Sequence, residues 1–445
     1  MAFLPCFPQQ EWDSLIDLVV GHHKSIQNDP TERGILDLRA NEGDEMIENH
    51  LKDWEQWHQY GIQILQHFRL PTVEITRKDA EQAILYAVKY CKKKGYGFSP
   101  LRGLLKSADH FASAFTHATT EKLKPLFKKP KLNHYRHKSR RRKMYPLSCI
   151  STTDSRKHTL VVASTGAGKT DFLLRRCKGR VFYTLPFQAS INAMWERICN
   201  DVKKYQPDAD IRLLHATSKI VTKGKIDEQI LQPLAGSVVK ILTPHQLAAI
   251  IFGTSGFETM ILDLEGTDVI LDEIHTYSDF SRSMVLEIVK TLLRFNCKIH
   301  IGTATMPSVL YDELKNILGG EDEVYEVKLP DKILDSFNRH QVSKIEDETL
   351  IPAILREAFG QKEKVLMVYN TVGKAQNAYR ALKQEFGEIP MMLIHSRFRR
   401  GDRITLETRL KTEFNGDGSR AVWEWIDALF SHFHPSGGGK FGHKF

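Results

Sequence analysis

The chain has 445 residues, of which 41% are hydrophobic and 26% charged, with a formal net charge of +9. This length allows about three domains, and the composition excludes a peptide hormone, a collagen-like chain and a broadly disordered chain. The absence of a signal-peptide pattern, of any apolar run of roughly 18 residues and of paired cysteines predicts a cytoplasmic protein with no membrane partner.

The first region, residues 1–118, is predicted to be all-α. Residues 11–20, 44–68 and 77–94 carry apolar side chains spaced three and four positions apart, which is typical of helices packed on one face. No strand-like alternation interrupts these segments.

Residues 119–146 are predicted to be a basic linker. Within them, residues 121–143, called the basic tract below, hold eleven Lys or Arg and one acidic residue. The tract has a net charge of +10, so the other residues sum to −1. Such a tract is typical of contacts with a nucleic-acid backbone, whereas Pro125 and Pro130 also suit a solvated linker. Both interpretations stay open.

From residue 147 the pattern changes to short apolar runs followed by amphipathic segments, which predicts a parallel sheet covered by helices. Strands are expected at residues 159–163, 180–185, 211–215, 238–243, 268–272 and 298–303. A second, shorter set has expected strands at 364–370 and 391–396 and expected helices at 371–386 and 404–414. The predicted organisation is an α/β domain at 147–330, a partial second α/β domain at 331–420 and an atypical tail at 421–445.

A phosphate-binding loop is predicted between the first strand and the helix that follows it. The candidate nucleotide ligands are consecutive: Ser164, Thr165, Gly166, Ala167, Gly168, Lys169 and Thr170. Glycines let backbone N–H groups turn toward phosphates, Lys169 is expected to meet the outer phosphates, and Thr170 to hold Mg²⁺.

Two further motifs end predicted strands at the same edge of the sheet. Asp272 and Glu273 follow the apolar run within residues 268–275 (DVILDEIH). Asp272 is expected to hold the Mg²⁺ shell, and Glu273 to orient or deprotonate the attacking water. Thr303 and Thr305 lie in residues 302–307 (GTATMP). The catalytic candidates are therefore Lys169, Asp272 and Glu273.

With these three motifs the chain resembles the superfamily 2 helicases. Residues 182–190 (FYTLPFQAS), 242–246 (LTPHQ) and 393–398 (LIHSRF) narrow the likeness to the CRISPR-associated helicase-nuclease of type I systems. The resemblance implies an all-α HD-like region followed by RecA-like domains, the second incomplete. It also implies ATP and Mg²⁺ as cofactors, and single-stranded DNA and the type I surveillance complex as partners.

The resemblance assigns roles to further residues. His275, Thr303 and Thr305 would couple the nucleotide state to DNA. Five others would lie along the nucleic-acid groove: Thr184, Thr243, Asn370, His395 and Arg397.

The HD nuclease is expected to be incomplete. His22, His23 and Asp109 resemble part of its transition-metal site, but the family's earlier His and His-Asp pair are missing from the residues ahead of His22. The tail at 421–445 contains no arginine that could serve as the family's later arginine motif, and a frameshift or annotation error would account for it. The predicted function is an ATP-dependent DNA helicase or translocase of antiviral defence. The alternatives are a catalytically inactive nucleotide- and DNA-binding remnant and a DExH RNA helicase.

Overall fold

The computed structural model describes residues 1–21, 43–94, 99–141, 145–214, 234–252, 257–274, 279–335 and 343–410. The chain divides into two units, Met1–Leu334 and Asp335–Phe445, which are described separately as unit 1 and unit 2. No helix among these residues is long and apolar enough to cross a membrane.

The amino-terminal part of unit 1 is helical where the structure describes it. Its helices are α1 (Trp12–Gly21), α2 (Gly43–His50), α3 (Trp54–His67), α4 (Arg77–Lys94) and α5 (Pro100–Ala114). Their apolar faces bury Leu51, Trp54 and Ile84 in one cluster and Ile16 and Ala87 in another. This agrees with the predicted helical character, while the assignment to an HD domain stays a prediction.

The basic tract is folded against unit 1 rather than extended as a free linker in its described part. It contains the short helices α6 (Thr119–Leu123) and α7 (Asn133–Arg136). The Phe127 backbone N–H donates to Gly236 O at 2.6 Å, and the guanidinium of Arg180 lies 5.0 Å from the Phe127 ring centroid. Farther along, Arg136 donates to the carbonyl of Cys177 at 2.9 Å. Arg142 and Lys143 lie outside the described residues.

A seven-stranded parallel sheet forms the core of unit 1. The strands are β1 (His158–Val162), β2 (Val181–Thr184), β3 (Ile211–Leu214), β4 (Val239–Leu242), β5 (Asp268–Asp272), β6 (Lys298–Thr303) and β7 (Val324–Lys328). Their order is β3-β4-β2-β5-β6-β1-β7. All six predicted strands are confirmed to within one residue at each end, and β7 is an addition. The carboxyl ends of β1, β5 and β6, neighbours in the sheet, therefore meet at one edge.

Helices cover the sheet, as expected for a parallel sheet whose strands are buried on both faces. They are α8 (Lys169–Arg176), α9 (Gln188–Lys203), α10 (Pro244–Phe252), α11 (Phe257–Leu264), α12 (Asp279–Arg294), α13 (Ser308–Ile317) and α14 (Asp331–Asp335). One core cluster joins Phe182, Leu247, Val269, Leu292 and Ile301 from strands and helices. This core holds the strand ends in fixed positions.

Helix α5 joins the helical part of unit 1 to the sheet. It packs on α11, where Arg102 and Glu258 form an ion pair of 3.1 Å whose side chains are 9% and 7% exposed. A Cβ on Gly103 would lie 2.6 Å from Glu258 O, so only glycine allows this approach of the two helices.

Unit 2 contains α15 (Ile351–Gly360), α16 (Val372–Glu385) and α17 (Arg400–Arg409) in its described residues. The strands predicted at 364–370 and 391–396 are not observed there, so this prediction is wrong for the described residues. Leu366, Met392 and Ile394 do pack with Leu406 of α17. The apolar pattern thus predicted burial correctly at Met392 and Ile394 but not in 364–370, where Val368 is 61% exposed. Burial without a backbone hydrogen-bond ladder does not make a strand.

Candidate nucleotide-binding site

The predicted phosphate loop connects β1 to α8, as the sequence requires. Gly166 and Gly168 have φ values of +85° and +92°, which residues with a Cβ rarely adopt. A Cβ on Gly168 would also lie 3.3 Å from Cβ of Tyr145. The loop leaves Thr165 and Gly166 exposed, so its backbone is accessible to a ligand.

Lys169 begins α8 and lies beneath this loop. Its side chain is 7% exposed, and its Nζ donates to Ala163 O at 2.9 Å. The same Nζ lies 4.0 Å from Oε1 of Glu273. The ammonium group is therefore held between the loop and the acidic end of β5.

Asp272 and Glu273 lie at the end of β5, as predicted. Burial raises the pKa of Asp272 to about 6, against the opposing effects of a hydrogen bond from Tyr183 and of Lys169. Glu273 has a φ of +57°, a conformation that costs free energy for a residue with a side chain. Its backbone N–H donates to Gly302 O at 2.8 Å, which ties this turn to β6.

These groups share one cleft of about 780 Å³ in unit 1. Lys169, Thr170, Asp272 and Glu273 line it together. The basic tract, residues 145–148, α9 and the residues just after α9 also contribute to the lining, through His137, Arg140, Tyr145, Ser148, Arg197 and Tyr205. The basic tract was not predicted to line the nucleotide site, because a run of charges carries no signal for this position.

An ion-pair cluster attaches the tract to the first turn of α8. Arg140 donates to Oδ2 of Asp171 from Nε at 2.8 Å and from Nη2 at 2.5 Å, and Arg197 pairs with the other carboxylate oxygen. Asp171 directly follows Thr170. Beyond it, the Leu147 backbone N–H donates to Ala167 O at 3.1 Å. The position of the phosphate loop is therefore linked to that of the tract.

The coupling candidates of unit 1 lie in different surroundings. Thr303 is buried and donates to Thr305 O at 2.7 Å, while Thr305 is exposed. Thr243 is half-buried and contacts Gln246 at 3.3 Å at the start of α10. Thr184 is 1% exposed and donates to Ile270 O at 3.0 Å inside the sheet. Thr184 was expected along the nucleic-acid groove, and its hydroxyl has a partner inside the sheet. His275 lies outside the described residues.

The groove candidates of unit 2 differ in exposure. Asn370 and Arg397 are exposed. His395 is buried, lies 3.0 Å from the amide of Gln376 through Nε2 and stacks on Phe398. The structure therefore leaves Asn370 and Arg397 accessible to a ligand and places His395 in the packing of the unit.

The predicted HD metal site lies only partly within the described residues. His22 and His23 lie outside the described residues, and Asp109 is exposed on α5. In the part of the chain that the structure describes, one group of three possible ligands occurs, formed by Cys177, Asp268 and His300 in the buried sheet. Asp268 already accepts hydrogen bonds there from His300 and from the backbone N–H groups of residues 178 and 179.

Two family models match the sequence. Residues 146–313 match the DEAD/DEAH box helicase family, and residues 361–426 match the carboxyl-terminal model of the CRISPR-associated nuclease/helicase Cas3. The second match includes six residues of the segment predicted to be an atypical tail.

Curated relatives agree with these models. The CRISPR-associated nuclease/helicase Cas3 of Methanothermobacter thermautotrophicus is 29% identical over 265 residues, which cover 54% of this chain and 31% of the relative. A Cas3 of Methanocaldococcus jannaschii is 25% identical over 281 residues, 58% of this chain and 38% of the relative. The match thus spans about a third of the length of these relatives.

Solved structures show the same fold. The crystal structure of T. fusca Cas3 has a TM-score of 0.56 at 14% identity, over 79% of this chain and 52% of that one. A second structure, of a CRISPR-associated protein, has a TM-score of 0.56 at 16% identity, over 80% and 51% of the two chains. Family models, relatives and fold thus agree that the chain is similar to Cas3 helicases over most of its described length.

Proposed function

We propose that this chain is the ATP-driven motor part of a DNA helicase or translocase of type I CRISPR defence. The observation that carries the proposal is the meeting of Lys169, Thr170, Asp272 and Glu273 in one cleft, although a hundred residues separate the two pairs. A basic side chain, a hydroxyl and two carboxylates at a phosphate loop are the groups that nucleoside triphosphate hydrolysis requires.

ATP is proposed to bind with its phosphates on the loop. The backbone N–H groups of the loop and the positive end of α8 would bind the phosphate oxygens, and Lys169 would neutralise the outer ones. The half-exposed Glu273 is available to orient and deprotonate the attacking water.

The donor set of the cleft also fits Mg²⁺. This ion prefers oxygen ligands, and the Thr170 hydroxyl and the Asp272 carboxylate are the two oxygen groups that would hold it. When bound, Mg²⁺ neutralises charge that develops on the phosphates. No transition metal is included in the proposal, and the incomplete HD nuclease stays a prediction that a metal-dependent DNA-cleavage assay would test.

Single-stranded DNA is the proposed nucleic-acid partner. Thr303, Thr305 and His275 would connect the nucleotide site to it, and Asn370 and Arg397 would contact it from unit 2. In the basic tract, Lys124, Lys129 and Lys138 are exposed and suit phosphate contacts. The CRISPR-associated relatives support the type I surveillance complex as the assembly that recruits the chain.

The test is ATP hydrolysis with single-stranded DNA, with RNA of the same sequence and without nucleic acid. We expect stimulation by DNA and loss of turnover in Lys169→Ala. Lys178→Ala is the matched control, because Lys178 is an exposed lysine just beyond α8. ATP binding without turnover would instead favour the inactive remnant, and stimulation by RNA alone would favour the RNA helicase.

A further inference from the structure

Tyr183 is a buried residue of β2 whose hydroxyl reaches the nucleotide site. Its side chain is 0% exposed, and its backbone lies between β4 and β5 in the sheet. The hydroxyl donates to Oδ2 of Asp272 at 2.5 Å.

The Asp272 carboxylate is held by two donors. Tyr183 donates to Oδ2. The other carboxylate oxygen of Asp272, Oδ1, accepts from the backbone N–H of Glu273 at 3.0 Å. Both oxygens of Asp272 therefore have a fixed donor, one from β2 and one from the turn after β5.

A purely structural role would not require the hydroxyl. Phenylalanine has nearly the same volume and carries no polar atom that must be satisfied in the core. The hydroxyl of Tyr183 instead fixes one oxygen of the carboxylate that the proposed function assigns to Mg²⁺, although β2 and β5 are on different parts of the chain.

We infer that Tyr183 is a positioning residue, which orients the Asp272 carboxylate for the Mg²⁺–nucleotide complex. The inference rests on the proposed function. Tyr183 acts through Asp272 and does not touch the nucleotide. Groups that orient metal ligands in this way typically change metal affinity about 10- to 100-fold when removed.

The test is Tyr183→Phe, which removes only the hydroxyl. Tyr311→Phe is the matched control, because the Tyr311 hydroxyl also donates to a carboxylate, that of Glu326, away from the cleft. The affinity for a fluorescent ATP analogue is measured in EDTA and across a Mg²⁺ titration, with thermal melting in EDTA. We expect Tyr183→Phe to bind the analogue in EDTA as the wild type does, but to require about 10- to 100-fold more Mg²⁺ for tight binding. Tyr311→Phe should match the wild type.

A double-mutant cycle with Asp272→Asn gives a second measurement. If Tyr183 acts through Asp272, adding Tyr183→Phe to Asp272→Asn should change Mg²⁺ dependence by less than about 2-fold. An unchanged Mg²⁺ requirement in Tyr183→Phe would overturn the inference. So would weaker binding of the analogue in EDTA together with a lower melting temperature, because both would show a general structural effect. A wild-type chain without Mg²⁺-dependent nucleotide binding would overturn the proposed function itself, and the inference with it.

Discussion

His158, the first residue of β1, should make the sheet of unit 1 less stable at mildly acidic pH. Its side chain is buried, and its Nδ1 accepts a hydrogen bond from the backbone N–H of Ile299 at 3.1 Å. Because Nδ1 is the acceptor, a second proton on the ring would break this bond. Burial and the nearby His300 lower the pKa of His158 to about 4, with a further lowering by Lys157 and an opposing effect of Glu323.

The sign and size of the effect follow from linkage between protonation and folding. Above the ordinary pKa of 6.5 both states are neutral at this position, so its contribution to stability is fully present. As the pH falls toward 4, the unfolded chain takes up a proton that the folded chain does not. Between about pH 7.5 and about pH 5 the resulting loss in free energy of unfolding is about 2 kcal/mol.

The variant His158→Asn isolates this effect, because the side-chain oxygen of Asn can accept from Ile299 but does not titrate. Denaturant unfolding followed by circular dichroism gives the free energy at both pH values, and hydrogen exchange of the β6 amides gives a local measure. We expect the wild type to lose about 2 kcal/mol more than His158→Asn on acidification. Equal losses in the two proteins would refute the reasoning.

Three other substitutions test the contacts around the site. Arg140→Ala should weaken binding of the ATP analogue, because it removes the ion pair with Asp171. Lys138→Ala, which removes the same charge from an exposed position of the tract, should not. Equal effects of the two substitutions would contradict a role for the Arg140–Asp171 ion pair. Asp263→Asn should lower the free energy of unfolding by about 3 to 5 kcal/mol, because it leaves the buried Lys240 and Arg180 without their carboxylate, with the exposed Glu265→Gln as control in the same denaturation experiment. Gly302→Ala should lower the free energy of unfolding by about 1 to 3 kcal/mol and weaken Mg²⁺-dependent nucleotide binding, since a Cβ there would lie 2.6 Å from Leu173 and 3.2 Å from Asp272. Gly373→Ala, which has open space around it, is the control in melting and binding measurements.

The sheet of unit 1 was predictable because buried parallel strands are continuous apolar runs. Strand β7 was missed because its sequence, VYEVK, contains two charged residues and its middle positions are only half-buried, as suits the edge of a sheet. The break between α2 and α3 was also missed. It lies at Asp53, which has a φ of +56° without a glycine or proline to signal it. Local sequence patterns thus predicted the buried strands, but not the half-buried edge strand or a helix break without glycine or proline.

The meeting of the phosphate loop with the acidic pair was predictable, since both end strands at the same edge of the sheet. The role proposed for Tyr183 was not predictable, because a tyrosine in an apolar strand has the same pattern as a core residue. Its partner Asp272 is 89 positions away, and only the strand order brings them together. The contribution of the basic tract to the cleft was missed for a related reason, because net charge does not show which cations have partners within the protein.

The basic tract cannot be treated as a uniform source of charge for DNA. Binding through counterion release requires cations that are not already neutralised. Arg140 is paired with Asp171, Lys128 is paired with Asp208, and Arg136 donates to a carbonyl. Part of the tract's positive charge is therefore already bound to other groups of unit 1. Exposed members such as Lys138 remain available to phosphates. Because Arg140 lines the nucleotide cleft with its partner Asp171, whereas the exposed Lys124 and Lys129 are not among the lining residues, nucleotide binding and DNA binding should respond to different substitutions within the same tract.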